Sequence, residues 1–530
     1  MTSGKKAIFG LVCLGGAITL VAVSGHYYLR RSTERYKNTL AVRGEYLSIR
    51  QPWPKALRGD REKAFAFSQA VLQVQRGAVL LSNQVHMMHS VAFGRALIAS
   101  AQPDIRNYIG ATNSWEDLAG ELRTNSTLLD EIRASLGGPA FDFNLYYAAG
   151  FEIPLRHLSQ AYQTASIFSM AAALALHRKE IDAANTNLLT LLSLAKAFHQ
   201  DRFLITELVQ IAIAQLAAST TWEALQTPGW RDEELKLWQD AWSAMEFLEP
   251  MKDCFAFERG LVSDTLSDYR KTPRRMLVLS GMARNSTPGA GGVTGEEFLS
   301  GTVLAGLAAI WTYYWSYDDE LGFLKITQSH LDGLRQTNGS WKSASERISS
   351  ELKDFKRQYP PSSDEGMLLD YQEHNIRNFF SNMALQQEKA VRRAFGAQTL
   401  KEMVGTGIAL KRYERSRGSY PSNLNALVPA FLSRLPIDFM DGQPLRYRPE
   451  TNGMYTLYSV GADGVDGGGL APKQSTRLLA WNLEDDWVWP QPANSEEVKE
   501  FEAKEAAREA KAAPRPRRAS QTPVSASTNR

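Results

Sequence analysis

Cysteine is almost missing from this chain: of 530 residues only Cys13 and Cys254 carry a thiol. Cys13 lies in an apolar N-terminal run, so the pair supports no disulfide framework, and the lack of CxxC or of a Cys/His grid removes the usual signature of a structural zinc module. Excess charge of one sign is missing as well. The net formal charge is +3, and Lys511, Arg515, Arg517, Arg518 and Arg530 lie in a C-terminal tail without acids. The remainder is slightly acidic, which excludes the global basic signature of a nucleic-acid binder, so no nucleic-acid partner is expected. No Walker loop is present, and no GxGxxG joins a strand to a helix. Serine elbows of the GxSxG kind are lacking too. What the chain does have is apolar bulk. At 44% hydrophobic and 10% aromatic residues it is too apolar for a disordered chain, and its length suits two to four folding units of roughly 100–200 residues each.

The most informative uncharged run is N-terminal. Lys5 and Lys6 precede Ala7–Gly25, nineteen residues without a charge, and His26, Arg30 and Arg31 follow. That length matches the ~20 residues of a spanning helix and exceeds the ~7–15 of a signal-peptide core, so residues 1–30 read as an uncleaved signal anchor or transmembrane helix. Two alternatives stay open: cleavage after Ala22-Val23-Ser24, and a buried helix of a soluble fold. Lys5 and Lys6 oppose Arg30, Arg31, Arg35 and Lys37, so the positive-inside rule nearly cancels and leaves the orientation open. A second uncharged stretch, Phe298–Tyr317, is diluted by Ser300, Gly301, Thr302, Gly306, Thr312 and Ser316, and reads as a buried or surface-lying helix rather than a second span.

Residues 31–280 read as a helical domain. Leu188, Leu191, Leu192, Ala195 and Phe198 share one helical face, and so do Ile205, Leu208, Ala212 and Leu216. Only Gln200-Asp201 separates the two, so an antiparallel hairpin is expected, with Leu158–His177 as a third helix and Asp182 as the N-cap of the second. Gly281–Gly295 holds five glycines and a proline and reads as a loop leading to a second helical part, 296–380. A further helix stops at Gly418, and the period then changes. Asp441-Gly442 and Asn452-Gly453 are turn dipeptides, and Met454–Val460 alternates as a strand does. Residues 381–492 therefore read as an α+β unit with a small antiparallel sheet. Residues 493–530 read as a frayed helix and a disordered tail. The expected fold class is mainly α: an N-terminal transmembrane helix, an antiparallel helical bundle and a small C-terminal α+β cap.

Within the cap, Arg412-Tyr413, Gly418-Ser419-Tyr420-Pro421, Leu435-Pro436-Ile437-Asp438, Asp441-Gly442-Gln443-Pro444-Leu445-Arg446-Tyr447 and Tyr458-Ser459-Val460-Gly461-Ala462-Asp463-Gly464 follow in order. This stretch, residues 385–490, resembles the globular domain of the type II secretion major pseudopilin. The resemblance implies a long helix beneath a small sheet, one calcium ion held by Ser459, Asp463, Asp466, Asp485 and Asp486, and protein partners in a secretion or pilus-like machine. The chain departs from that family at its start. A pseudopilin has its processing motif directly before the long helix, and here some 380 residues intervene, so the chain is not a pilin subunit itself. The helical body resembles uncharacterised membrane-anchored bacterial helical proteins, which implies no activity.

Read from the residues alone, Ser459, Asp463 and Asp466 surround Gly461, Gly464 and Gly467 with hard oxygens, and Asp485-Asp486 follow. A calcium ion wants six to eight such oxygens; a glycine-aspartate turn without metal has the same composition. The spacing is not that of an EF-hand. His86 and His89 stand three apart in an apparent helix without an HExxH glutamate or a local third ligand, and read as exposed or capping residues. His177 and His199 end helices. Cys254 beside Asp253 is a poor nucleophile, and Asp318-Asp319-Glu320 reads as ordinary helix-surface carboxylates. The expected function is that of a membrane-anchored helical scaffold or interaction protein, its body outside the cytoplasm, linked to secretion or pilus-like assembly. No catalytic residue stands out. The alternative is a hydrolase or lyase whose site is scattered over the helical body.

Overall fold

The computed structural model describes residues 3–52, 59–82, 85–106, 112–138, 140–198, 201–272, 309–335, 339–358, 378–470 and 485–512, together with Arg275 and Gly306. The expectations for Gly281–Gly295, for 298–305, for His199 and for the tail beyond 512 lie outside the described residues. In chain order the elements are α1 (Ser3–Val42), α2 (Arg61–Gln73), α3 (Ala78–Ser82), β1 (His89–Ala92), β2 (Arg95–Leu97), β3 (Ile105–Arg106), β4 (Thr112–Asn113), α4 (Trp115–Thr124), α5 (Ser126–Ser135), α6 (Arg156–His177), α7 (Ile181–Leu194), α8 (Leu204–Gln226), α9 (Asp232–Ser243) and α10 (Leu248–Lys271). After them come α11 (Ser316–Leu334), α12 (Trp341–Gln358), α13 (Phe379–Gln386), α14 (Glu388–Arg417), β5 (Arg446–Pro449), β6 (Tyr455–Ser459), β7 (Trp487–Trp489), β8 (Gln491–Pro492) and α15 (Ser495–Ala512). The fold is mainly helical with a small antiparallel sheet.

Helices α6, α7 and α8 pack each on the other two, as a bundle. The expected face of α7 is the buried one: Leu188, Leu191, Leu192, Ala195 and Phe198 are all in the core. Its start differs from expectation. The chain reverses through Lys179 at φ +59°, Glu180 takes the N-cap position, and Asp182 falls inside the first turn, where a negative charge still suits the helix N-terminus. At the α7–α8 turn, Asp201 is buried and its Oδ2 meets His157 Nε2 at 2.5 Å.

The expected face of α8 is overturned. Ile205 is 49% exposed, and the core side carries Leu204, Ile211, Ala214, Ala218 and Trp222 instead. A helix surrounded by neighbours has no single apolar stripe, and the buried Thr206, Glu207 and Gln210 break the pattern that would have marked the inner face. By length and composition α8 is apolar enough to cross a membrane, yet most of it lies inside the fold, as suits a core helix.

Residues 89–113 also differ from the helical expectation. β1 and β2 form an antiparallel hairpin through Phe93-Gly94, with Gly94 at φ +66°, and β3 pairs with β4. His89 therefore opens a strand, not a helix. β8 then adds to β2 in parallel, with Gln491 N–H donating to Gly94 O at 2.9 Å. The buried Trp222 indole donates to Pro490 O at 2.7 Å. Body and cap consequently share one hydrophobic core. The long helix α14 stops where expected, at Gly418 with φ +79°, whose N–H donates to Glu414 O at 2.7 Å. Gly407 on α14 lies against Trp489, so close that a Cβ there would sit 3.0 Å from the indole.

Candidate functional site

The cap sheet has the order β5-β6-β7, antiparallel throughout, and its register delivers the acidic loop. Asp438, fully buried, is its anchor: Oδ1 accepts from Met440 N–H at 3.0 Å and Ser459 Oγ at 2.9 Å, and Oδ2 from Val460 N–H at 2.9 Å. Burial pushes its carboxyl up to about 6 against the pull of those donors. The Arg446 guanidinium lies among three carboxylates, at 3.3 Å from Asp438, 2.5 Å from Asp441 and 3.5 Å from Asp466. Asp466 Oδ1 also accepts from Tyr458 OH at 3.0 Å and Gly468 N–H at 2.9 Å. Asp486 receives Gly467 N–H at 3.2 Å and Gly469 N–H at 2.7 Å. Its carboxyl is pushed up, by burial first and then by repulsion from Asp466 and Asp463.

The five expected ligands are thus distributed unequally. Asp486 feels the charges of Asp466 and Asp463 across the glycine turn, and all three side chains carry the hard carboxylate oxygens that calcium prefers. Ser459 is fully buried and committed to Asp438, and Asp485 is exposed. Among the described residues no three His, Cys, Asp or Glu side chains are gathered as a metal cage. Asp438 and Arg446, which organise the loop, stood in the sequence only as links in the resemblance. Their signal was an aspartate two residues after Pro436 and an arginine at the head of a strand.

A second constellation joins α1 to the body. α1 and α11 run parallel: His26 meets Tyr313, Thr33 Oγ1 donates to Tyr317 O, and Lys37 pairs with Glu320. Gly25 permits this approach, since a Cβ there would come within 2.6 Å of the Tyr314 ring. Glu320, fully buried, also accepts from Ser263 Oγ at 2.9 Å and Arg270 Nη2 at 2.6 Å. Burial pushes its carboxyl up, but the Arg270 and Lys37 charges outweigh that and hold it below its ordinary value. The adjacent Asp319 accepts from the N–H groups of Phe380 and Ser381, capping α13 from another helix; burial pushes it up to about 7. The expectation of surface carboxylates at 319 and 320 is therefore corrected. Neighbouring acids point inward because each has a partner from a distant segment.

His86, His89, His177 and Cys254 are engaged in packing contacts or hydrogen bonds. His86 and His89 face each other edge to face at 5.7 Å, and burial lowers His86 to about 3. His177 stacks on Trp115 at 4.4 Å and meets Ser100 O. Cys254 is buried, donates to Phe203 O, and burial pushes its thiol well up, which removes thiolate reactivity. Compared with protein-family models, with curated proteins and with solved structures, the chain matches none.

Proposed function

We propose that this chain is a membrane-anchored helical scaffold that holds a pseudopilin-like α+β cap outside the cytoplasm, where it engages protein partners of a secretion or pilus-like machine. The observation that carries the anchor is a collar of exposed apolar and aromatic side chains. Leu20, Val23, Tyr27 and Tyr28 of α1 and Ile310 and Tyr313 beside it are all at least 46% exposed. Arg30, Arg31 and Arg35 follow immediately. Tyrosine rings at headgroup depth with arginines behind them are the arrangement expected where a spanning helix leaves a bilayer, and the apolar run Ala7–Gly25 leads into the collar on the same continuous helix. Full-length protein should stay in carbonate-washed membranes, and a variant lacking residues 7–25 should move to the soluble fraction. Soluble full-length protein with an intact N-terminus would overturn the reading.

For the cap, the long helix under a three-stranded antiparallel sheet supports the pseudopilin likeness, and the charges of Asp466 and Asp463 that bear on Asp486 support weak calcium binding. These three carboxylates, which are not gathered as a cage, would have to draw together to hold the ion, beside the Arg446 charge already at Asp466. Weak extracellular sites have Kd of about 10⁻⁴–10⁻³ M, so calcium at ten times Kd should stabilise the fold by about 1.4 kcal/mol. A thermal melt of the full chain in calcium against chelator should move up by about 1 °C, and Asp466→Ala should abolish the shift. An unchanged melt of the parent protein would refute calcium binding.

A further inference from the structure

The first turns of α8 carry Thr206, Glu207 and Gln210, each no more than 2% exposed. Buried polar groups are normally paired, and one pair exists here: Gln210 Nε2 donates to Glu207 Oε2 at 3.0 Å. Among the described residues Glu207 Oε1, Gln210 Oε1 and Thr206 Oγ1 have no hydrogen-bond partner. All three residues line a cleft of about 290 Å³ between the start of α8 and the start of α10. Phe198, Ala244 and Pro250 give it an apolar wall, and Glu246, Glu249 and Asp253 outnumber Arg202 around it.

We propose that this cleft binds a small primary amine, its ammonium received by Thr206, Glu207 and Gln210 and its short carbon body by Phe198, Ala244 and Pro250. The site is independent of the membrane and calcium readings. With Glu207 ionised, three oxygens without donors call for a group that brings three N–H donors and no acceptor, which an alkylammonium does. Anionic ligands would add acceptors to a cleft already dominated by carboxylates. A quaternary ammonium has no N–H to give, and calcium or magnesium would need about six oxygens. The volume lies at or below the lower end of the roughly 300–1,000 Å³ typical of drug-sized sites, which suits a monoamine or short diamine.

Burial pushes the Glu207 carboxyl up to about 8, so at neutral pH the ligand-free group is mostly protonated. An ammonium supplies the missing counter-charge, and binding releases that proton to solvent. The groups facing Glu207 are Arg202 on its own side, Glu249, Asp253 and Cys254 from α10, and Glu246 from the preceding loop. Lys401 of α14 pairs with Glu246 at 3.1 Å, and Lys252 with Glu249 at 2.6 Å. Those two acids are therefore already matched, Asp253 faces the Arg202 charge, and Glu207 is left as the acid that the amine neutralises. Affinity should rise with pH toward 8.

Calorimetric titration of the full chain with propylamine and with putrescine, in phosphate and in HEPES, tests this. At least one amine should bind saturably at or below tens of millimolar, with a heat that depends on the buffer because a proton leaves. Choline and acetate should not bind. Glu207→Gln keeps the shape of the neutral acid and cannot ionise; it should melt like the parent, bind at least tenfold more weakly, and lose the buffer dependence. Thr206→Val, which needs no ionisation argument, should weaken binding several-fold with the fold intact, and it serves if Glu207→Gln misfolds. Absence of amine binding to the parent, equal binding by a folded Glu207→Gln or Thr206→Val, or choline or acetate binding as tightly, would each overturn the proposal.

Discussion

Glu45→Ala should cost about 3–5 kcal/mol of folding stability, the range for breaking a buried ion pair from one side. Glu45, at the end of α1, is 7% exposed, and it neutralises Arg259, whose side chain is fully buried. Its Oε2 accepts from Arg259 Nη2 at 2.7 Å and its Oε1 from Gln328 Nε2 at 3.1 Å, while Arg335 pairs with it from the rim. Arg259 keeps only neutral acceptors besides, Tyr46 O and Gln328 Oε1. Alanine at 45 would therefore strand a guanidinium in the core. Burial opposes ionisation of Glu45, but the Arg335 hydrogen bond and the Arg259 charge prevail and hold its carboxyl at about 2. A carboxyl depressed in the folded state stabilises fully above its ordinary value of 4.5 and loses that contribution as pH falls toward 2. Urea midpoints of parent and variant should thus differ most at neutral pH and converge near pH 2. The double change Glu45→Leu with Arg259→Met should recover much of the loss, since an apolar replacement of a whole buried pair is often neutral. A parent-like midpoint for Glu45→Ala would contradict the burial of the pair.

Asp438→Ala is expected to cost about 3 kcal/mol and to loosen the cap. The carboxylate is the shared acceptor for Met440 N–H, Val460 N–H and Ser459 Oγ in a site without solvent. Each buried donor left unpaired costs about 1–3 kcal/mol before relaxation. Hydrogen exchange should report it directly: protection at Met440 and Val460 falls, while the amides of α7, far from the cap loop in sequence and sharing no hydrogen bond with it, keep theirs. Asp438→Asn retains one acceptor oxygen and should fall between. Unchanged exchange at Val460 in the alanine variant would show that Asp438 does not hold the loop.

Both predictions concern acids whose roles were hidden in the sequence, and the reason is physical. Periodicity reports which face of an element is apolar, and it worked where one face meets the core, as on α7. It failed on α8, where burial on several sides leaves no contrast to read. Short strands at 89–113 escaped because two to four residues carry too little alternation to register. In the cap, turn dipeptides at Asp441-Gly442 and Asn452-Gly453 and the alternating run at 455–459 were local signals, and the structure has both glycines at positive φ, +83° and +80°.

By itself the sequence determined the class of fold, the stop of the long helix at Gly418 and the switch from helix to sheet, since capping, turn chemistry and one-sided amphipathicity act over a few residues. Tertiary structure alone decided which charges are interior. Glu45 with Arg259, Glu320 with Lys37 and Asp438 with Ser459 are joined across 214, 283 and 21 positions, and β8 reaches β2 across 396. A carboxylate is tolerated in a core only where a particular donor from another element meets it, and no local pattern encodes which element arrives.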